Sequence, residues 1–90
     1  DMDLYESCLR SFVNDENFAK LKDAVEKEDA EEAFKAAHAL KGVAGNLSLG
    51  PLYDSLCEEV EPLREGDISR IHENYEKTAN AFLRLQEEVL

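Results

Sequence analysis

Apolar positions recur along this 90-residue chain at helical spacing, and they divide it into five segments. The first, about 3–13, carries Leu4, Cys8, Leu9 and Phe12 as its stripe. Asn14-Asp15 breaks it and can cap a second helix over about 15–27 with Phe18, Leu21 and Val25 inside. Asp29, with Glu32 three residues on, resembles a capping box and opens a third helix over about 29–48. Its core side is Ala33, Ala37, Leu40, Val43, Ala44 and Leu47. Ser48-Leu49-Gly50 ends it, with Gly50 as the flexible turn. Pro51 suits the first turn of a fourth helix, which runs to about 65 with Leu52, Leu56, Val60 and Leu63 inward. Pro62 tightens its last turn. Gly66-Asp67 reads as a stop followed by an N-cap, and the fifth helix, about 67–89, carries Ile68, Ile71, Tyr75, Ala79, Phe82 and Val89.

All connections are short, which makes successive helices antiparallel. The expected fold is all-α: an antiparallel up-down four-helix bundle of the last four helices, with the short N-terminal helix packed across one end. Residues 1–90 read as a single domain. Hydrophobic residues make up 43% and charged residues 34%, ordinary values for a small helical domain. β-branched residues are few, which argues against a sheet.

The net charge is −11. A chain this acidic repels phosphate backbones and anionic lipid surfaces, so neither nucleic acid nor membrane is an expected partner. There is no long apolar run and no signal-peptide pattern, which leads to a cytoplasmic expectation. Cys8 and Cys57 sit on apolar stripes and read as buried free thiols, with a disulfide allowed but not demanded. No CxxC occurs, and the two histidines are far apart, so no metal site is expected. Acidic pairs such as Glu58-Glu59 and Glu87-Glu88 read as solvated helix surface. His72 reads as structural or incidental.

The third helix holds the candidate chemistry, in Phe34-Lys35-Ala36-Ala37-His38-Ala39-Leu40-Lys41-Gly42-Val43-Ala44-Gly45. Two glycines inside a helix each cost roughly 0.8–1 kcal/mol relative to alanine. At about 100° per residue, Gly42 and Gly45 both fall within about 40° of His38, and Lys35 and Lys41 flank it at about 60°. Leu40, Val43 and Leu47 point the other way. The face therefore shows an imidazole, two cations and a strip without side chains, a surface that another molecule can approach. Taken alone, a lone helical histidine is as readily solvated as functional, and glycines can mark close helix packing. No nucleophile–base pair and no phosphate-binding loop can be drawn.

The run Ala37-His38-Ala39-Leu40-Lys41-Gly42, with Ala44, Asn46 and Leu47 after it and Leu52, Leu56, Cys57, Val60 and Glu61 along the next helix, resembles the histidine phosphotransfer (HPt) domain family. The likeness covers about two thirds of the chain in pattern. It implies that His38 is a phosphoacceptor exchanging phosphoryl groups with receiver-domain aspartates in a multistep phosphorelay. Lys41 would stabilise the phosphohistidine and Gly42 would admit the partner. Phe34, Lys35 and Gly45 would support docking from the same face. The partners implied are a response-regulator receiver domain, a hybrid sensor kinase, or both. Mg²⁺ would come from the receiver, so the domain needs no cofactor of its own, and it is a monomeric phosphocarrier without kinase activity. Two other readings stand beside this one: a helical interaction module without phosphotransfer, and the phosphoacceptor module of a chemotaxis-type kinase. One departure is Ser48, where many members have glycine.

Overall fold

Three consecutive helices end on the same backbone device. In the computed structural model, which describes residues 2–89, the elements are α1 (Met2–Val13), α2 (Glu16–Glu26), α3 (Ala30–Asn46), α4 (Gly50–Arg64) and α5 (Ile71–Val89). At the ends of α2, α3 and α4 the chain turns through a left-handed residue: Glu28 (φ 53°), Ser48 (φ 58°) and Gly66 (φ 77°). Each closes a Schellman pair. After α3, the Ser48 N–H donates to the Gly45 carbonyl at 3.2 Å and the Leu49 N–H to the Ala44 carbonyl at 3.0 Å. After α4, the Gly66 N–H reaches the Leu63 carbonyl and the Asp67 N–H the Pro62 carbonyl. The turn after α3 is thus made by Ser48, while Gly50 is already helical.

Caps fix the helix starts. The Asn17 N–H donates to Asp15 Oδ1 at 2.8 Å, and the Glu32 N–H to Asp29 Oδ1 at 3.2 Å. The fifth helix starts later than its apolar pattern implies. Asp67 takes the Ser69 N–H at 2.9 Å, an Asx turn two residues on, and the Ile71 N–H then bonds the Ile68 carbonyl. Ile68 therefore lies in the connection, 38% exposed, and Ile71 is the first buried residue of α5.

Each of α2, α3 and α4 packs against the next helix, and α5 also contacts α2. The core they enclose includes Leu21, Ala33, Ala37, Leu40, Ala44, Leu56 and Val60, all fully buried. Four of the buried positions on α3 are alanines (Ala33, Ala36, Ala37, Ala44), which brings α2 and α4 close to it. α1 packs on α5. An aromatic cluster joins α1, α2 and α5: Phe12 meets Phe18 edge-on at 5.2 Å, and Phe18 stacks on Phe82. The Tyr5 hydroxyl adds a hydrogen bond to the Leu47 carbonyl at 2.8 Å.

Because α1 leans on α5, an open groove remains between α1 and the end of α3, lined by Cys8, Phe12, Val43 and Leu47 among others. Val43 is consequently 36% exposed and not core, and Cys8 is exposed and not buried. Leu4, 66% exposed, also leaves the expected stripe, of which Phe12 is buried and Leu9 partly so; Val13, outside that stripe, is buried as well. Cys57 is half-buried. No helix among the described residues is long and apolar enough to cross a membrane.

Candidate functional site

α3 is a regular 17-residue helix, so it holds Phe34, His38, Lys41, Gly42 and Gly45 in one register. The His38 side chain is exposed. Its ring lies against Phe34, one turn earlier, with centroids 5.5 Å apart and planes inclined at 37°. Phe34 is half-buried against the core, so it forms a fixed backing for the imidazole.

The two glycines have different surroundings. A Cβ on Gly42 would meet nothing within 4 Å, so this position is open to solvent. A Cβ on Gly45 would lie 3.1 Å from Tyr53 Cε1 and 3.4 Å from its Cδ1. Gly45 thus makes room for a tyrosine of α4 across the α3–α4 corner. Its lack of a side chain also serves helix packing, on the face it shares with His38. Of the two, Gly42 is the position with open space around it.

The two lysines differ as well. Lys35 Nζ lies 3.5 Å from both Glu31 Oε1 and Glu32 Oε1. The charge of Glu32, then that of Glu31, holds its ammonium above the ordinary lysine value. Its charge is engaged along its own helix, in the α2–α3 groove that also includes Asp29 and Lys27. Lys41 is half-buried and makes no ion pair among the described residues. It is the lysine left free to act on the His38 face.

Two neighbours of this face come from α4 and were not legible on α3 alone. One is Tyr53, at Gly45. The other is Arg64, whose guanidinium carbon stands 5.6 Å from the Phe34 ring centroid. The structure also places one acidic residue differently from its expected surface position. Glu59 is only 1% exposed, and the Thr78 hydroxyl donates to its Oε1 at 2.8 Å. Its spacing, three after Leu56 and four before Leu63, is that of the core stripe. His72, far from His38 in the chain, faces Glu28 with 3.6 Å between Nε2 and Oε2. Among the described residues, no group of three His, Cys, Asp or Glu side chains is placed to hold a metal ion.

The arrangement is an exposed imidazole on a rigid helix, backed by an aromatic ring, with an unpaired ammonium and an open glycine nearby. Such a site can take a group onto nitrogen and present it to a second macromolecule. The family model for the Hpt domain matches residues 13–89. The chain belongs to the Hpt domain family, whose members are helical phosphocarrier modules of phosphorelays and interact with receiver domains and kinases. The match begins at the last residue of α1, so the rest of that helix lies outside it. Comparison with curated proteins and with solved structures gives no match for this chain.

Proposed function

We propose that His38 is the phosphoacceptor of this domain, taking a phosphoryl group from a receiver-domain aspartate and passing it to another. The observation that carries this reading is the exposed imidazole of His38 beside the open Gly42, inside a chain that matches the Hpt family over residues 13–89. In the forward step, a ring nitrogen's lone pair forms the N–P bond as the P–O bond to the aspartyl group breaks. The bonding pair leaves with the aspartate carboxylate, and the second ring nitrogen keeps its proton. The reverse step restores the imidazole. Such transfer depends on positioning and charge neutralisation more than on covalent assistance by the protein.

Lys41 neutralises part of the phosphoryl charge in this reading, as its freedom from carboxylates supports. Phe34 and Gly42 form the docking face, with Gly45 and Lys35 at its margins. Mg²⁺ in the acidic pocket of the receiver would supply the remaining neutralisation. The domain acts as a monomeric phosphocarrier in the cytoplasm, with a receiver domain or hybrid sensor kinase as partner and no kinase activity of its own. Its acidity supports the exclusion of nucleic acid and membrane partners. We read the packing order α2–α3–α4–α5 and the return of α5 to α2 as an up-down antiparallel bundle. α1 lies across the end holding Phe18, Leu47 and Phe82, so that residues 1–90 form one domain.

The direct test is phosphoryl transfer to His38→Gln. The variant should keep the helical circular dichroism of the parent and accept no labelled phosphate from a phosphorylated receiver domain. Label on that variant equal to the parent's would overturn the assignment.

A further inference from the structure

A cation that the α3 motif does not contain lies over the Phe34 ring. Arg64 sits in the last turn of α4, and its guanidinium lies over the same ring that backs His38. Phe34 therefore links an imidazole from its own helix to a guanidinium from the next. Local geometry constrains the backbone at this point. Pro62 sits two residues earlier, and the Schellman turn at Gly66 closes the helix directly after.

We propose that Arg64 is a docking and specificity residue for phosphoryl transfer at His38, meeting the anionic phosphoryl donor with its guanidinium from across Phe34. The inference rests on the phosphotransfer reading above.

Three observations support it. First, the charge is available. Among the described residues, the one ion pair of Arg64 is with Glu61 at 3.8 Å, both side chains more than half exposed, and such a pair holds its members weakly. Lys35, by contrast, already has two carboxylates. Second, the guanidinium carbon stands 5.6 Å from the Phe34 ring centroid, and among the described residues its N–H groups make no hydrogen bond. Its planar fork of donors, which suits carboxylate and phosphate, is therefore available. Third, the charge balance calls for it. A phosphorylated carboxyl donor is itself anionic, and it approaches a chain of net charge −11. Local cations at the site offset that repulsion and act on encounter rate and partner choice. Lys41 on α3 supplies one, and Arg64 on α4 supplies another from a different direction. Two cations on separate helices also impose an orientation on the partner, which a single one cannot.

The test uses the full chain and a panel of purified receiver domains charged with acetyl phosphate. The receiver that labels the wild type fastest is carried forward with Arg64→Gln and Arg64→Lys. Arg64→Gln should raise KM about fivefold at low salt, leave kcat near the wild-type value, and flatten the fall of kcat/KM with salt. Arg64→Lys should restore the salt dependence but only part of the affinity, because an ammonium lacks the fork. Wild-type KM and an unchanged salt slope in Arg64→Gln would overturn the inference. So would a loss of kcat and thermal stability together with an unaltered salt slope, the sign of a structural role alone. Failure of every receiver to label the wild type would instead overturn the phosphotransfer reading itself.

Discussion

Thr78 on α5 donates its hydroxyl proton to Glu59 on α4 at 2.8 Å, in the interior of the protein. The other carboxyl oxygen of Glu59 is buried without a partner among the described residues. Burial disfavours the ionised form and pushes this carboxyl up to about 7, from an ordinary 4.5, with the Thr78 hydrogen bond opposing part of the effect.

A pH dependence of stability follows. Between pH 4.5 and about 7 the folded protein retains a proton on Glu59 that the unfolded chain has released. The folded state therefore loses relative stability as pH rises through this window, and the loss is complete above it. A shift of this size corresponds to roughly 3 kcal/mol. Urea denaturation at pH 5 and pH 8 should show wild type losing about that much relative to Glu59→Gln, whose amide does not titrate. An equal gap between the two proteins at both pH values would mean that Glu59 ionises like a surface carboxylate.

The glycine pair separates packing from docking. Gly42 has free space where a Cβ would stand, so Gly42→Ala should stabilise the protein by about 0.8–1 kcal/mol through helix propensity. Gly42→Gln should be at least as stable as the parent, yet should slow phosphoryl transfer by placing a long side chain on the docking face. Gly45→Ala would bring a methyl group to 3.1 Å from the Tyr53 ring, which must shift. The propensity gain should then vanish, and it should return when Tyr53→Ala is added. Thermal melts of the single and double variants decide this, with transfer rates alongside. A Gly45→Ala gain matching that of Gly42→Ala would show that the ring yields freely.

Much of this was legible in the sequence wherever one helix determines the answer. The caps at the Asn14-Asp15 boundary and at Asp29, the Gly66 stop and the shared face of Phe34, His38 and Gly42 follow from side-chain type and the 100° step. The Hpt resemblance built on that face agrees with the family match. What the pattern missed depends on how helices meet. The partners of Gly45 and Phe34, namely Tyr53 and Arg64, lie on α4, and only the α3–α4 packing brings them together. Val43 belongs to the apolar stripe, but α1 packs on α5 and leaves it facing a groove. The left-handed turns at Glu28 and Ser48 were hidden because neither residue type signals a positive φ, and the nearby Gly50 drew the assignment to itself. Glu59 occupied a core position in plain spacing, and its charge masked it.

The lysines on either side of His38 give the sharpest separation between geometry on paper and charge in place. Both stand about 60° from the imidazole around the helix axis. Lys35 is committed to Glu31 and Glu32, exposed pairs whose loss costs little. Lys41 has no carboxylate partner among the described residues, so its ammonium can meet a phosphoryl group on His38 with a charge-assisted hydrogen bond. Lys35→Ala should therefore leave transfer to His38 within about twofold of wild type, while Lys41→Ala should lower it about tenfold or more, the loss of one such bond. Lys41→Arg keeps the charge and should recover part of the rate. Single-turnover labelling from a phosphorylated receiver measures all three. Equal losses in the two alanine variants would mean that Lys35 leaves its carboxylates when the phosphoryl group arrives, and that the resting ion pairs do not decide which cation acts.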